Sequence, residues 1–270
     1  MPRALLSIAC HEYGVAAVVY LVYLIRQWRV LPIIGRVMVG TGLCLHAASL
    51  AMTLGPQGGM PLDLAQGFSS VAWLLLAIFF FLDLRYRAPV IGAFLMPVAL
   101  AVLVPGLLLP GQGPAVPTSI TRPLLPLHIS IALLGIAAFG VASGVAVMYL
   151  LMERQMKVKK FGVLFSRLPS LQFLDQLNQR LVVWGFIALS VTLVTGAFFS
   201  SEGGGVFWRW EAKEIATLVA WVVFAALLHA RFFAGWRDKR VALMTMAGFC
   251  ILMISFFTSY DPTHGSGGLH

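Results

Sequence analysis

Long apolar runs separated by short polar connections dominate the chain. Eight stretches approach or exceed the roughly 20 apolar residues that a helix needs to cross a bilayer core, and the third is the shortest. Lipid offers no hydrogen-bond partner to the backbone, and the runs lack the period-two alternation of β-barrel strands, so we expect helices. The predicted spans are Ala4–Ile25, Leu31–Leu54, Gly67–Leu82, Ala88–Leu109, Leu124–Met152, Leu181–Ser200, Ile215–Phe233 and Val241–Tyr260.

The composition agrees with a polytopic membrane protein. Of the 270 residues, 60% are hydrophobic and only 11% are charged, whereas about 25% are charged in an average soluble domain. This excludes a cytosolic globular enzyme, a disordered chain and a nucleic-acid binder, despite the net charge of +9. The three cysteines lie in apolar runs without a CxxC pair, which excludes a thiol-redox motif, a zinc ribbon and a covalent heme site on this chain.

The distribution of basic residues predicts how the spans are oriented. Fifteen of the 19 Lys and Arg residues lie in, or close to, the connections that follow spans one, three, five and seven. The positive-inside rule therefore places both termini outside, on the periplasmic side of a bacterial cytoplasmic (inner) membrane. We expect one integral membrane domain over residues 1–270, with a basic amphipathic cytoplasmic connection at 153–180 lying against membrane lipid, and an external tryptophan-rich loop at 201–214.

Histidines are the main ionisable groups inside the predicted spans, where such groups are functional candidates. His128 lies at the outer end of span five, His46 in the outer part of span two, and His229 near the inner end of span seven. His264 and His270 lie in the external tail. Single neutral imidazoles on separate helices suit axial ligation of heme iron. The alternative is that each imidazole packs between helices and bonds a neighbouring carbonyl.

A second candidate feature is the segment FWRW, which contains Trp208 and Trp210 beside a run of three glycines. Flat aromatic surfaces outside the membrane suit a planar macrocycle, whereas an interfacial aromatic belt is the alternative that needs no ligand. Glu211 and Glu214 begin span seven, where carboxylates favour the positive helix N-terminus, and Lys213 between them can pair with either or with an anionic substrate. No catalytic triad, phosphate loop or zinc protease helix is present, so we predict no catalytic residue on this chain.

Four stretches resemble the cytochrome c assembly family, whose members are heme-handling membrane proteins with a WWD domain, such as CcsA, ResC, CcmC and the HemX-like proteins. PLLPLHISIALLGIAAF contains His128, and LCLHAASLAM contains His46. WRWEAKEIATLVAWVVFAALLHARFFAGWRDKR is similar to the tryptophan-rich loop and the helix after it, with His229 as the membrane histidine. HGSGGLH resembles the family's terminal GLH, with His270 as the better match and His264 as the alternative.

The resemblance implies a function in cytochrome c maturation. Heme b is expected to enter through the membrane, to meet His46 and His229, and to be held outside by His128, a tail histidine and the tryptophan-rich loop. There it would be presented to a CxxCH apocytochrome c. The expected partners are that apocytochrome and a CcsB/ResB-like membrane protein, and the chain would be at most one subunit of a thioether-forming ligation complex.

The tryptophan-rich loop departs from the family pattern. Glu211 stands where the family has Asp, Ala212 where it has Pro, and Ala216 where it has Trp. These differences favour the shorter HemX-like branch. The alternative function is therefore a membrane regulator or scaffold of tetrapyrrole biosynthesis without synthase activity, which would contact a tetrapyrrole-synthesis enzyme through residues 153–180. A third hypothesis is that the protein transports small solutes or metal ions.

Overall fold

Eight long apolar helices form the protein, as the hydrophobic pattern predicts. The computed structural model describes residues 2–53, 60–61, 64–109, 115–116, 125–159, 162–204, 208 and 210–258. Eight of its helices are long and apolar enough to cross a membrane, which confirms an all-α polytopic membrane protein. The helices are α1 (Pro2–Arg26), α2 (Leu31–Thr53), α3 (Leu64–Tyr86), α4 (Val90–Leu108), α5 (Leu125–Lys157), the short α6 (Val163–Arg167), α7 (Leu171–Gly204), α8 (Ala212–Phe233) and α9 (Lys239–Thr258).

One small feature was not predicted. The two-residue strand β1 (Met60–Pro61) pairs antiparallel with β2 (Ala115–Val116). These strands lie in the connections between α2 and α3 and between α4 and α5, both rich in Pro and Gly, which disfavour helix. The pair therefore joins two connections at the same end of the bundle.

The helices alternate in direction, so the bundle has two distinct ends. At one end Ser49 donates a hydrogen bond to the carbonyl of Pro2, and Ser255 donates one to the carbonyl of Lys213. This is the tryptophan end, at which α1, α3, α5 and α8 begin and α2, α4, α7 and α9 end. At the opposite end, the basic end, Arg231 pairs with Asp175. The side of the membrane that each end faces stays a prediction.

Two groups of helices pack together around a shared core. Helices α1 to α4 contact one another, α5 contacts α7 and α9, α8 contacts α9, and α3 joins the two groups by packing on α5. Phe139 and Phe224 stack at the centre of the second group, with ring centroids 3.7 Å apart. In the first group Gly92 lies so close to Tyr20 that a Cβ at Gly92 would lie 2.7 Å from that ring. Small residues thus allow the close helix approach on which membrane bundles depend.

Helices α5 and α7 extend well beyond the roughly 20 residues that cross a bilayer core, with lengths of 33 and 34 residues. They take up most of the predicted basic connection at 153–180, and α6 lies between them. The first turns of α7 pack into the bundle, because Leu174 and Leu177 are buried and Asn178 donates to the carbonyl of Ala142. The location of this segment against lipid stays a prediction.

Candidate functional site

A cavity of about 710 Å³ opens at the tryptophan end between α5, α7, α8 and α9. Most of its wall is apolar, from Leu, Ile, Ala and Phe side chains of α5, α7 and α9. Its volume falls within the range of about 300–1,000 Å³ that is typical of small-molecule sites. We call it the tryptophan-end cavity. The residues that bring polar chemistry to it include His128, Trp208, Glu211, Lys213 and Glu214.

His128 enters the cavity from the first turn of α5 and is held by α7. Its Nδ1 lies 2.6 Å from the Oγ1 of Thr195, and its ring meets the ring of Phe199 edge-on, with centroids 5.5 Å apart. Gly196 faces the Cε1 of His128, and a Cβ there would lie 3.4 Å from it. The imidazole is half-buried and held on one side by a single turn of α7, which leaves its other side to the cavity.

Trp208 reaches the cavity from the connection between α7 and α8. Its indole Nε1 is buried and has no hydrogen-bond partner among the residues that the structure describes. Buried indole N–H groups usually find a partner, so this donor indicates a site for an acceptor. Trp210 does not line the cavity and is 67% exposed, although its ring meets Trp208 edge-on at 6.1 Å. Of the two tryptophans only Trp208 lines the cavity, and a role of Trp210 in binding stays a prediction.

The beginning of α8 supplies the charged rim of the cavity. Glu211 precedes the first helical residue with an extended backbone, and its carbonyl accepts the N–H of Ile215. Its carboxylate lies 3.4 Å from the Nζ of Lys213. Deeper in the cavity Thr217 and Ser255 share a hydrogen bond of 2.6 Å, which joins α8 to α9. Carboxylates are stabilised at a helix N-terminus, so Glu211 also stabilises the beginning of α8.

His46 and His229 lie elsewhere. His46 is fully buried between α1, α2 and α3, where its Nε2 lies 2.8 Å from the Oγ of Ser69 and its Nδ1 lies 3.5 Å from the hydroxyl of Tyr13. His229 is exposed on the outer surface of α8, with its ring 4.6 Å from that of Phe233. Neither histidine lines the tryptophan-end cavity. Their predicted roles as intramembrane ligands stay predictions.

The tail histidines His264 and His270 lie outside the described residues. The expected pairing of His128 with a tail histidine across one macrocycle therefore stays a prediction. Within the described part of the chain, no group of three or more His, Cys, Asp or Glu side chains could hold a bare metal ion. A single histidine in a large apolar cavity suits heme instead, because heme brings four equatorial nitrogens of its own.

Sequence reasoning missed the α7 side of the site. Thr195, Gly196 and Phe199 contact His128, yet a threonine or glycine in an apolar span is ordinary and gives no functional signal. Helical spacing is the one clue available, because positions 195, 196 and 199 share a helix face. It could identify the three as neighbours but not as neighbours of His128, which is 67 positions from Thr195.

Comparison with known proteins identifies the family. Residues 42–260, most of the chain, match the family described as "Cytochrome C assembly protein". The chain belongs to the cytochrome c assembly family. The match includes His46, His128, Trp208, Glu211 and His229. The tail histidines lie beyond it.

Several curated proteins named CcsA are similar to this chain. The chain is 27% identical over 252 residues to the cytochrome c biogenesis protein CcsA of Synechococcus sp. (strain CC9902), covering 83% of each protein. It is 29% identical over 220 residues to CcsA of Guillardia theta, covering 74% of this chain and 73% of that protein. These relationships support a function in cytochrome c biogenesis.

A solved structure has the same fold. The cytochrome c heme lyase CcmF superimposes with a TM-score of 0.71 at 14% identity, over 98% of this chain. The match covers 48% of CcmF, so this chain spans about half of that protein's length. At this identity the likeness concerns the fold alone.

Proposed function

We propose that this protein binds heme in the tryptophan-end cavity and presents it for attachment to apocytochrome c. The proposal rests on one observation, which is that three candidate residues line the same cavity. His128 of α5, Trp208 of the connection between α7 and α8, and Glu211 at the beginning of α8 line one cavity of about 710 Å³, although His128 is far from the other two in the sequence. Membership of the cytochrome c assembly family supports the identity of the ligand.

The residues present fit heme b. The imidazole of His128 would hold the iron, and the apolar wall would cover the macrocycle and exclude water. The ammonium group of Lys213 and the N–H of Trp208, which has no partner among the described residues, are donors suited to the propionates. When bound, heme would supply two vinyl groups, to which the two cysteine S–H groups of a CxxCH segment add to form thioethers. The protein's own residues bind the heme, orient it and shield it from water.

The proposal includes a location and partners. The tryptophan end faces the periplasm across a bacterial cytoplasmic membrane, so the cavity lies where an exported apocytochrome c can reach it. A CcsB/ResB-like membrane protein completes the ligation complex.

Heme content of the purified protein tests the proposal. Wild-type protein in detergent is expected to show a Soret band, and His128→Ala is expected to lose most of it because the axial ligand is gone. His11→Ala is the matched control, since His11 is an exposed histidine of α1 that bonds only to the carbonyl of Ser7 among the described residues. Equal heme content in wild type and His128→Ala, at equal protein levels, would contradict the proposal.

The same assay tests the two intramembrane histidines and the alternative function. If His229 or His46 binds heme on its way to the cavity, His229→Ala or His46→Ala lowers heme content at an unchanged protein level. A regulator of tetrapyrrole biosynthesis would instead be purified without heme and together with a soluble biosynthetic enzyme. The residues that the structure describes offer no observation that favours this alternative.

A further inference from the structure

We propose that Thr195 is a positioning residue that determines the tautomer of His128, so that Nε2 is the nitrogen available to a ligand. For its consequence in heme binding, the inference rests on the proposed function. The hydrogen-bond pattern itself is a property of the protein alone. Neither Thr195 nor the choice of nitrogen follows from the sequence motifs.

The hydroxyl hydrogen of Thr195 has an acceptor within its own helix. Its Oγ1 lies 2.7 Å from the carbonyl oxygen of Val191, four positions earlier in α7, in the geometry of a donated hydrogen bond. A second carbonyl, that of Thr192, lies at 3.3 Å and is the poorer acceptor. A hydroxyl has one hydrogen to donate and two lone pairs to accept with. If that hydrogen goes to Val191, the Oγ1 of Thr195 acts only as an acceptor toward His128.

The number of hydrogen bonds that each tautomer of His128 can make favours a proton on Nδ1. With the proton on Nδ1, His128 donates to Thr195 and Thr195 donates to Val191, which makes two hydrogen bonds. With the proton on Nε2, Thr195 must turn its only hydrogen toward Nδ1. The bond to Val191 is then lost, and the Nε2 hydrogen has no acceptor among the described residues. Each net hydrogen bond is worth about 1 kcal/mol, so the first arrangement, which keeps both hydrogen bonds within the protein, is favoured.

Two neighbours of Thr195 shape the space around the imidazole ring. Gly196 has no side chain, and a Cβ at that position would lie 3.4 Å from the Cε1 of His128, at the near limit of ordinary van der Waals contact. Phe199, one turn further along α7, meets the ring at 85°. One turn of α7 therefore supplies the hydrogen bond, the space and the edge contact. The lone pair of Nε2 is the ring's remaining functional group, and His128 lines the cavity.

The first test measures the tautomer in the full-length protein without heme. Protein labelled with ¹⁵N-histidine in detergent micelles gives separate nitrogen signals for protonated and unprotonated ring nitrogens, and comparison with His128→Gln assigns those of His128. We expect a protonated Nδ1 and an unprotonated Nε2 in wild type and in Thr195→Ser, which keeps the hydroxyl. Thr195→Val is expected to show a mixture of tautomers. A proton on Nε2 in wild type would overturn the inference.

The second test measures heme binding. Removal of a group that orients a metal ligand typically costs about 10- to 100-fold in affinity, so Thr195→Val is expected to bind heme that much more weakly, with a shifted Soret band. Thr195→Ser is expected to retain affinity. The control is Ser130→Ala, because Ser130 makes the same kind of bond to a carbonyl four positions earlier but lies on the exposed side of α5. Unchanged affinity and spectrum in a folded Thr195→Val protein would contradict the positioning role.

The two tests separate this inference from the proposed function. If wild type binds no heme, the proposed function fails, while the nitrogen signals of the heme-free protein still decide the tautomer. If His128→Ala loses heme but Thr195→Val binds as wild type does, the proposed function holds and the inference alone fails. Should Thr195→Val not fold, the wild-type nitrogen signals decide the outcome.

Discussion

Trp208 and Trp210 differ in location, and Trp210 has an unusual backbone conformation. Trp210 has a φ of +57°, in the left-handed region that non-glycine residues rarely adopt. This conformation lies directly before Glu211 and the start of α8. Trp208 lines the cavity, whereas Trp210 does not. Residues held in such conformations cost about 1–3 kcal/mol and tend to occur at functional sites. The strained residue thus borders the cavity without lining it.

We predict that the indole N–H of Trp208 contributes to ligand binding. Trp208→Phe keeps an aromatic ring in the wall and removes the buried donor, so heme affinity is expected to fall by roughly fivefold, which corresponds to about 1 kcal/mol for one hydrogen bond. Trp210→Phe is the matched control and is expected to bind as wild type does, since Trp210 is largely exposed. Heme titration followed by absorbance measures both. A larger loss in Trp210→Phe than in Trp208→Phe would reverse the assignment.

The sequence alone identified His128 and Trp208 as candidate site residues. His128 was a candidate because an imidazole in an apolar span is costly, and Trp208 because it lies in a tryptophan-rich loop. The convergence of these residues with Glu211 on one cavity could not be derived, since it depends on how α5, α7 and α8 pack. Thr195 could not be predicted as a site residue, because its hydroxyl donates a hydrogen bond to a carbonyl of its own helix, as threonines in helices commonly do.

At the scale of helices, hydropathy predicted the spans but not all of their ends. The third span was expected at Gly67–Leu82, yet α3 runs over Leu64–Tyr86, and span six begins at Leu171 in α7 rather than at Leu181. A run of apolar residues indicates only the part of a helix that lies within the hydrocarbon core of the bilayer. Beyond it, α7 continues because Leu174 and Leu177 lie one turn apart on a buried face, a pattern that a hydropathy window averages away.

Polar pairs at the basic end join helices that are separate in sequence. Asp83 of α3 is 1% exposed and accepts two hydrogen bonds from Arg36 of α2, at 2.8 Å from Nε and 3.2 Å from Nη2. The hydroxyl of Tyr20 in α1 lies 3.4 Å from the same carboxylate. Three helices thus meet at one buried acid. Loss of either charged partner would leave the other uncompensated in a region of low dielectric.

We predict that Arg36→Ala is strongly destabilising. Breaking a buried pair from one side typically costs about 3–5 kcal/mol, whereas replacing both partners by apolar residues is often close to neutral. The double variant Arg36→Met with Asp83→Leu is therefore expected to recover most of the loss. Thermal unfolding in detergent, followed by loss of soluble monomer, compares the variants.

An exposed pair provides the control for this experiment. Lys157 and Glu153 form an ion pair four positions apart in α5, and the Lys157 side chain is 62% exposed. Such pairs contribute about 0.3–0.5 kcal/mol, so Glu153→Ala is expected to unfold close to wild type. If Arg36→Ala unfolds at the same temperature as Glu153→Ala, the pair with Asp83 does not stabilise the bundle.

The two ends of the molecule differ in their chemistry. The tryptophan end holds the cavity, whereas the basic end holds the ion pairs of Asp83 and Asp175 and most of the basic residues. The likeness of this bundle to the heme lyase CcmF over 98% of the chain indicates that the arrangement of spans is shared across distant sequences. A cavity at one end serves a partner on one side of the membrane, so the proposed function depends on which side the tryptophan end faces.

We predict that the tryptophan end is external and both termini lie outside. The reason is the concentration of Lys and Arg at the basic end, where retention of positive charge in the cytoplasm orients the spans. Fusions to a fluorescent protein that matures only in the cytoplasm, and to a phosphatase active only outside it, measure this reciprocally. Fusions after Arg167 and after Asp238 are expected to fluoresce without phosphatase activity, and fusions after Gly113 are expected to do the opposite. Phosphatase activity after Arg167 together with fluorescence after Gly113 would place the cavity in the cytoplasm, where an exported apocytochrome c cannot reach it.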